Sequence, residues 1–191
     1  MDAHASSSSR GRDDFVPRTQ LLSGDDVQRA VRRMAHEVVE RVRDTEALVV
    51  LGLQTGGVAF GELLAASLLD ITSQGVLQGT LDVSFYRDDV GQRPFVRSAA
   101  SSVPVDLDDR VVLLVDDVLF TGRTIRSALN ALGDFGRPRS VQLAVMVDRG
   151  HRELPIRPDY VGKNLPTSLS QSVQVHLAEI DGRDEVEIQE S

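Results

Sequence analysis

The chain has 191 residues, 41% of them hydrophobic, enough for one compact domain with an ordinary core. It has no cysteine, which excludes disulfide staples, thiolate zinc sites and cysteine nucleophiles, and no apolar run approaches the length of a membrane span. A formal net charge of −8 argues against nucleic-acid binding through a global positive field but leaves room for a local basic face.

Residues 1–20, which begin MDAHASSSSRGRDD, lack the apolar segment of a secretory signal and read as a disordered polar tail. Residues 21–191 are expected to form the domain, and a cytoplasmic protein is the simplest expectation. A helix fits residues 23–43. Ser23 suits its cap, Asp25 and Asp26 suit its first turn, and Val27, Val31, Met34, Val38 and Val42 make one apolar stripe. Arg29, Arg32, Arg33, His36 and Arg43 fall largely off that stripe.

Next come a short apolar strand over 47–53, the turn Gln54-Thr55-Gly56-Gly57, and a helix over 58–69. A strand is expected over 81–86, then a polar stretch punctuated by Gly and Pro over 87–104. The apolar strand over 111–115 is followed by Asp116 and Asp117, and a helix fits 124–135. A strand over 141–147 and short segments near Tyr160 and over 173–177 complete the pattern.

Strands apolar on both faces and alternating with helices imply an α/β fold, with a parallel sheet covered on both sides. Ligands of such sheets bind beyond the carboxyl ends of the strands. Two of those ends lead into Gly/Thr turns and then helices: Thr55-Gly56-Gly57, and Thr121-Gly122-Arg123-Thr124. Such a turn offers backbone N–H groups, hydroxyls and the positive end of a helix dipole, the makings of a phosphate cradle. No Gly-Lys-Ser/Thr triphosphate loop occurs, and no GxGxxG follows a strand. A Thr-Gly turn by itself is an ordinary strand-to-helix connection. Two adjacent acids after a fully apolar strand are not ordinary, because burying a carboxylate without a partner is costly. Carboxylates accept hydrogen bonds from vicinal hydroxyls or hold a hydrated magnesium ion, so the pair suits a phosphorylated ribose.

The stretch VVLLVDDVLFTGRT resembles the phosphoribosyl-diphosphate (PRPP) signature of type I phosphoribosyltransferases. The segments AHEVVER (35–41), SFYRDD (84–89) and GRPRSVQLAVMVDRGHRELPIRPDYVGKNLPTS (136–168) are similar to PyrR, a family of bifunctional pyrimidine-operon regulators and uracil phosphoribosyltransferases. The resemblance runs from about residue 22 to the C-terminus and leaves the tail uncovered. It implies the type I fold: a central, mostly parallel sheet flanked by helices, with a flexible catalytic loop and a small hood.

The resemblance also implies roles. Asp116 and Asp117 would hold the ribose hydroxyls, with Mg²⁺ near them carried by PRPP. Thr121, Gly122, Arg123 and Thr124 would hold the 5-phosphate, with Val118, Leu119 and Phe120 completing that substrate-binding run. Thr55, Gly56 and Gly57 would form the diphosphate turn. The family commonly has Thr-Arg-Gly there, so Gly56 removes a side-chain charge, a departure that bears on catalytic strength rather than on diphosphate binding. Residues 86–102 would be the loop that closes over substrate. Arg87 is expected there as a catalytic residue, Arg97 as a substrate ligand, and Arg93 within reach of the diphosphate. Asp148-Arg149 and Tyr160-Val161-Gly162 match segments that line the base, and Arg137 joins Asp148 and Val161 among the expected substrate contacts. Relatives that use 6-oxopurines usually have Asp where this chain has Phe120, so Phe120 favours a pyrimidine.

The expected reaction is uracil plus PRPP giving UMP and diphosphate. The expected second function is binding of pyrimidine-gene leader RNA, with UMP or UTP as effector. Its expected contacts are Arg32, Arg33, His36, Arg41 and Lys163, and Arg137, Arg139, His151 and Arg152 could extend the basic face. Arg32 departs from the many members that carry Thr. A homodimer or higher homo-oligomer and no membrane partner are expected. A regulator with little activity and a purine phosphoribosyltransferase are the alternatives.

Overall fold

Ser23 opens the first helix through a reciprocal capping box. Its hydroxyl accepts the Asp26 N–H at 3.3 Å, and the Asp26 carboxylate accepts the Ser23 N–H at 3.0 Å. The structure is a computed structural model and describes residues 18–83 and 101–190. Helix α1 (Gly24–Arg41) buries Val27, Val31, Met34 and Val38 of the expected stripe, together with Ala30 and Ala35; Val42, the fifth, is buried one residue past the helix end, which comes two residues earlier than expected. It follows a short strand, β1 (Arg18–Leu22).

Strands β2 (Leu48–Leu53), β3 (Leu77–Leu81), β4 (Val111–Leu119), β5 (Ser140–Asp148) and β6 (Tyr160–Asn164) form a parallel sheet in the order β3-β2-β4-β5-β6. Along β4 successive residues alternate between two cores. Leu113 and Val115 pack with Met34 and Val38 of α1 and with Phe60 and Leu64 of α2 (Gly56–Thr72). Val112 and Leu114 pack with Ile125, Ala128 and Leu132 of α3 (Arg123–Leu132). Helices on both faces explain why the strands read as apolar throughout, and each side chain so buried contributes about 1.5–3 kcal/mol.

A second sheet is antiparallel, in the order β1-β8-β7, with β7 spanning Gln171–His176 and β8 Glu185–Glu190. The short helix α4 (Ala178–Asp181) connects β7 to β8. Leu22, Leu177 and Val186 seat this hood on the α1/α2 side of the core.

Several boundaries differ from the sequence reading. The folded chain begins at least at Arg18, so residues 18–20 belong to β1 and not to a tail; residues 1–17 lie outside the described residues. β3 occupies 77–81, earlier than the expected start at 81, because its register places Leu77 beside Val49 and Leu81 beside Leu53; residues 84–86 of the expected strand lie outside the described residues. It is an edge strand with two exposed residues, so it lacks the continuous apolar run that marks the central strands. Helix α2 begins two residues earlier than expected, directly on the glycine turn. β4 continues through the two acids to Leu119.

Candidate active site

The acids do not follow the strand; they lie inside it. β4 pairs with β2 only as far as Gly52 and Val115, but with β5 to the register Leu119 with Asp148. Beyond Val115 one edge of β4 is therefore released by β2, whose chain turns away through Gln54 into α2. The Gln54–Thr55 peptide bond in that turn is cis. Asp116 and Asp117 occupy the stretch of β4 that has lost this neighbour.

Three glycines bring the start of α2 against the acids. A Cβ on Gly52 would lie 2.6 Å from Gly57 O and Val58 Cα. One on Gly57 would overlap Val115 O and approach Asp116 Cα at 3.0 Å. One on Gly56 would overlap the Asp117 carboxylate. Thr55, Gly56 and Gly57 thus sit next to the acid pair, and α2 starts there without a side-chain cap. The Val58 N–H donates to Thr55 O at 3.4 Å, and such a helix start is a general place for backbone N–H groups to meet an anion.

Asp116 is buried, and its Oδ1 accepts the Asp117 N–H at 3.1 Å. Asp117 Oδ1 accepts the Val118 N–H at 2.7 Å. Burial pushes the Asp117 carboxyl above the ordinary carboxylate range, with the Val118 N–H and Asp116 only partly opposing it.

The second turn is built alongside. Gly122 has φ +90°, a left-handed conformation that favours glycine, and it forms the N-terminal boundary of α3. Gly122 itself has no side chain with which to cap α3. Thr121 Oγ1 accepts the Arg123 N–H at 3.4 Å, and Thr121 O accepts the N–H groups of Glu153 and Leu154 at 3.0 and 3.3 Å. Arg123 Nε donates to Glu153 Oε2 at 2.6 Å, so the segment after β5 braces the turn. Thr124 lies in the first turn of α3.

Phe120 connects this turn to the hood. Its ring lies beneath the Arg149 guanidinium, 4.1 Å from centroid to Cζ, with His151 edge-on at 5.9 Å. Arg149 is buried, which pulls its guanidinium below the ordinary value. It is held by Thr167 Oγ1 at 3.1 Å, Ser168 O at 3.0 Å and Gln171 O at 2.5 Å. Arg152 donates to Phe120 O at 2.8 Å and Ile156 O at 3.0 Å and pairs with Asp148. Arg152 therefore braces the site and does not extend a basic surface. Nothing in the single letters R and D at 152 and 148 distinguishes that brace from solvated charges.

Val118, Leu119 and Asp148 lie at the same carboxyl ends, and Val161 is in register with Val145 on the neighbouring strand. Arg137 is a correction. Its N–H donates to Asp108 Oδ1 at 2.6 Å and its carbonyl accepts the Asp109 N–H at 3.1 Å, in the turn that feeds the amino end of β4. From Val111 to Asp116 is roughly 17 Å of strand. Arg137 therefore stands at the end of the sheet opposite the acids, whereas Arg123, Arg149 and Arg152 lie at the acids' end. Arg87, Arg93 and Arg97 lie outside the described residues.

On α1, Arg29, Arg32, Arg33 and His36 line one shallow groove with Asp25 and Gln28. Arg32 and His36 are exposed, and Arg29 pairs with Asp26. Arg33 is partly committed to the fold: it donates to Glu37 at 2.6 Å and to the carbonyls of Val161 and Gly162 at 2.8 and 2.9 Å. Arg41 pairs with Asp159 at 3.0 Å and stacks on Tyr160, while Lys163 is exposed on β6.

Residues 17–180 match the phosphoribosyl transferase domain family. The chain is 56% identical over 167 residues to the bifunctional protein PyrR of Streptomyces coelicolor, covering 87% of this chain and 86% of that one. It is 52% identical over 176 residues to the bifunctional protein PyrR of Deinococcus radiodurans, covering 91% and 95%. Among solved structures it is similar to a hypoxanthine phosphoribosyltransferase of Trypanosoma cruzi, with a TM-score of 0.70, 18% identity and coverage of 90% and 96%. A Staphylococcus aureus hypoxanthine phosphoribosyltransferase gives a TM-score of 0.68 at 20% identity, covering 91% and 92%. At such identities the structural likeness is one of fold alone.

Proposed function

The chain belongs to the PyrR family of phosphoribosyltransferases, and from that premise we propose that it transfers the phosphoribosyl group of PRPP to uracil. The observation that carries this reading is the placement of Asp116 and Asp117 between two helix starts, with Gly56 and Gly57 against them on one side and the Thr121–Thr124 turn on the other.

In this reading the 5-phosphate sits on the α3 amides with Thr121 and Thr124, and the diphosphate sits over Gly56 and Gly57. Asp117 and Asp116 accept hydrogen bonds from the ribose hydroxyls, which orients C1 towards the base. The C1–O bond to diphosphate breaks with its electron pair leaving on oxygen, the bond from C1 to uracil N1 forms, and the N1 proton is released. Positioning and electrostatic stabilisation of the positive ribosyl centre supply the acceleration, with no covalent enzyme intermediate. The all-oxygen donor set of Asp116 and Asp117 suits a hard ion such as Mg²⁺, which when bound neutralises charge on the departing diphosphate. Phe120, stacked against Arg149, provides an apolar wall where a purine enzyme would use a carboxylate.

The second function is that of an RNA-binding regulator of pyrimidine genes that responds to UMP or UTP. Arg32, Arg33 and His36 on one face of α1 support it, as phosphate ligands on an otherwise acidic protein. It acts in the cytoplasm as a homo-oligomer; among the described residues no helix is long and apolar enough to cross a membrane. Gly56, which brings no charge to the diphosphate turn, favours one other reading, a regulator with little turnover.

The deciding assay supplies PRPP and Mg²⁺ with uracil, hypoxanthine or orotate in parallel. UMP from uracil alone is expected. No UMP leaves only the regulator, and product from hypoxanthine restores the purine alternative. Binding to a pyrimidine-gene leader RNA, measured with and without UMP, tests the second function and is expected to tighten with the nucleotide.

A further inference from the structure

The polar face of the hood carries a cluster that the transfer reaction does not use. His176 on β7 lies directly across from Glu185 on β8, and Glu187 stands two residues along the same face. Two buried side-chain atoms there, His176 Nε2 and Glu187 Oε2, have no hydrogen-bond partner among the described residues and face each other at 3.5 Å, while Glu185 Oε1 meets the Arg183 guanidinium at 2.7 Å. Buried polar atoms are nearly always satisfied, so two facing each other on one small patch call for a missing partner. The Glu187 side chain is only 10% exposed, which makes an unmet carboxylate oxygen there costly.

The spacing suits a metal ion better than a hydrogen bond. His176 Nε2 and Glu187 Oε2 are 3.5 Å apart, and one ligand atom from each of the three residues lies within 4.8 Å of the others. Ligands about 2.1 Å from a tetrahedral ion stand about 3.4 Å from one another. The shell around the cluster fits as well. Asp181 Oδ1 faces His176 Nδ1 at 3.6 Å, and its Oδ2 is fixed by the Leu177 N–H at 3.0 Å. A proton on Nδ1 facing Asp181 would leave the lone pair on Nε2, the usual orientation of a metal-binding histidine.

Two cations face the cluster. Arg183 reaches Glu185 Oε1 at 2.7 Å and Glu187 Oε1 at 3.2 Å, and Arg18 lies 3.9 Å from Glu187 Oε2. Both arginines are more than half exposed. Three carboxylates (Asp181, Glu185 and Glu187) outnumber them, leaving one net negative charge for an ion to meet.

We propose that His176, Glu185 and Glu187 bind a divalent transition-metal ion of the zinc class, which clips β7 to β8. A neutral imidazole with two carboxylates selects such an ion over Mg²⁺, so the site is distinct in place and chemistry from the acids of β4.

The test uses the full chain, stripped with a chelator and titrated with Zn²⁺ by calorimetry and with Co²⁺ by visible absorption. One equivalent is expected, with a tetrahedral Co²⁺ spectrum, and affinity should fall at least tenfold in His176→Gln and in Glu187→Gln. Asp117→Asn should leave the stoichiometry unchanged. Absence of binding, binding unaltered in both hood variants, or binding lost in Asp117→Asn overturns the site. Independently of how a hood variant folds, the His176 ring protons of the unaltered protein give a second reading by NMR. With one equivalent of Zn²⁺ they should shift and stop titrating. A His176 that still titrates beside Zn²⁺ would mean that a protonated histidine, not a metal, satisfies Glu187.

Discussion

The Asp117 carboxylate occupies the space that any side chain at Gly56 would need; a Cβ there would come within 2.5 Å of Asp117 Cγ. The first residue of α2 and the second acid of β4 are therefore packed as one unit, although 61 residues of chain separate them (117 minus 56).

Gly56→Ala should push Asp117 aside and disturb the ribose contact while leaving the sheet intact. The KM for PRPP is expected to rise about tenfold, corresponding to about 1.4 kcal/mol, with little change in the KM for uracil. An unchanged KM for PRPP would show that Asp117 rotates away without cost.

Asp117→Asn separates stability from function. The folded carboxyl titrates above its unfolded value, so the folded state binds more protons between those two values. Asp117 therefore lowers stability as pH rises from the ordinary carboxylate value through its raised folded value, and the penalty persists at neutral pH. The variant should melt higher than the parent at pH 7.5, with the difference shrinking below pH 4, and should lose about 10²-fold in kcat/KM. Equal melting curves at both pH values would refute the burial argument.

Arg32 and Arg33 should behave differently despite being neighbours. Arg32→Ala removes an exposed charge and should weaken leader-RNA binding alone. Arg33→Ala also releases the carbonyls of Val161 and Gly162, on the strand expected to line the base. It should weaken RNA binding and raise the KM for uracil, by roughly fivefold if about 1 kcal/mol of hydrogen bonding is lost. Identical effects of the two variants on uracil kinetics would remove the link between RNA face and base site.

Arg137→Ala should leave steady-state kinetics within about twofold of the parent, as expected of a surface change remote from the site. Arg149→Ala removes the stack on Phe120 and three bonds to Thr167, Ser168 and Gln171, and should lower kcat/KM for uracil at least tenfold. The reverse ranking would return Arg137 to the substrate contacts.

Local chemistry made much of this molecule legible in the sequence. The 3.6-residue stripe of α1, its Ser23–Asp26 cap, the apolar run of β4 and the glycine at Gly122 each depend on residues within a few positions. The acid pair beside a phosphate-type turn could be read in the same way, because both belong to one strand and its exit. β1 and β8 were not legible: their residues are partly exposed and polar, and each becomes a strand by pairing with a partner far along the chain.

The sequence by itself thus determined the α/β class, the two glycine turns and the acids they flank, since these arise from period, turn preference and the cost of burying charge. Only the tertiary structure decided which end of the sheet each arginine reaches. Arg137 is tied to the turn before β4, Arg149 is stacked over Phe120 after β5, and Arg33 is turned inward across 128 residues to Val161. An arginine carries the same letter in all three places. Its role follows from the carbonyl, ring or carboxylate that the parallel crossovers bring beside it.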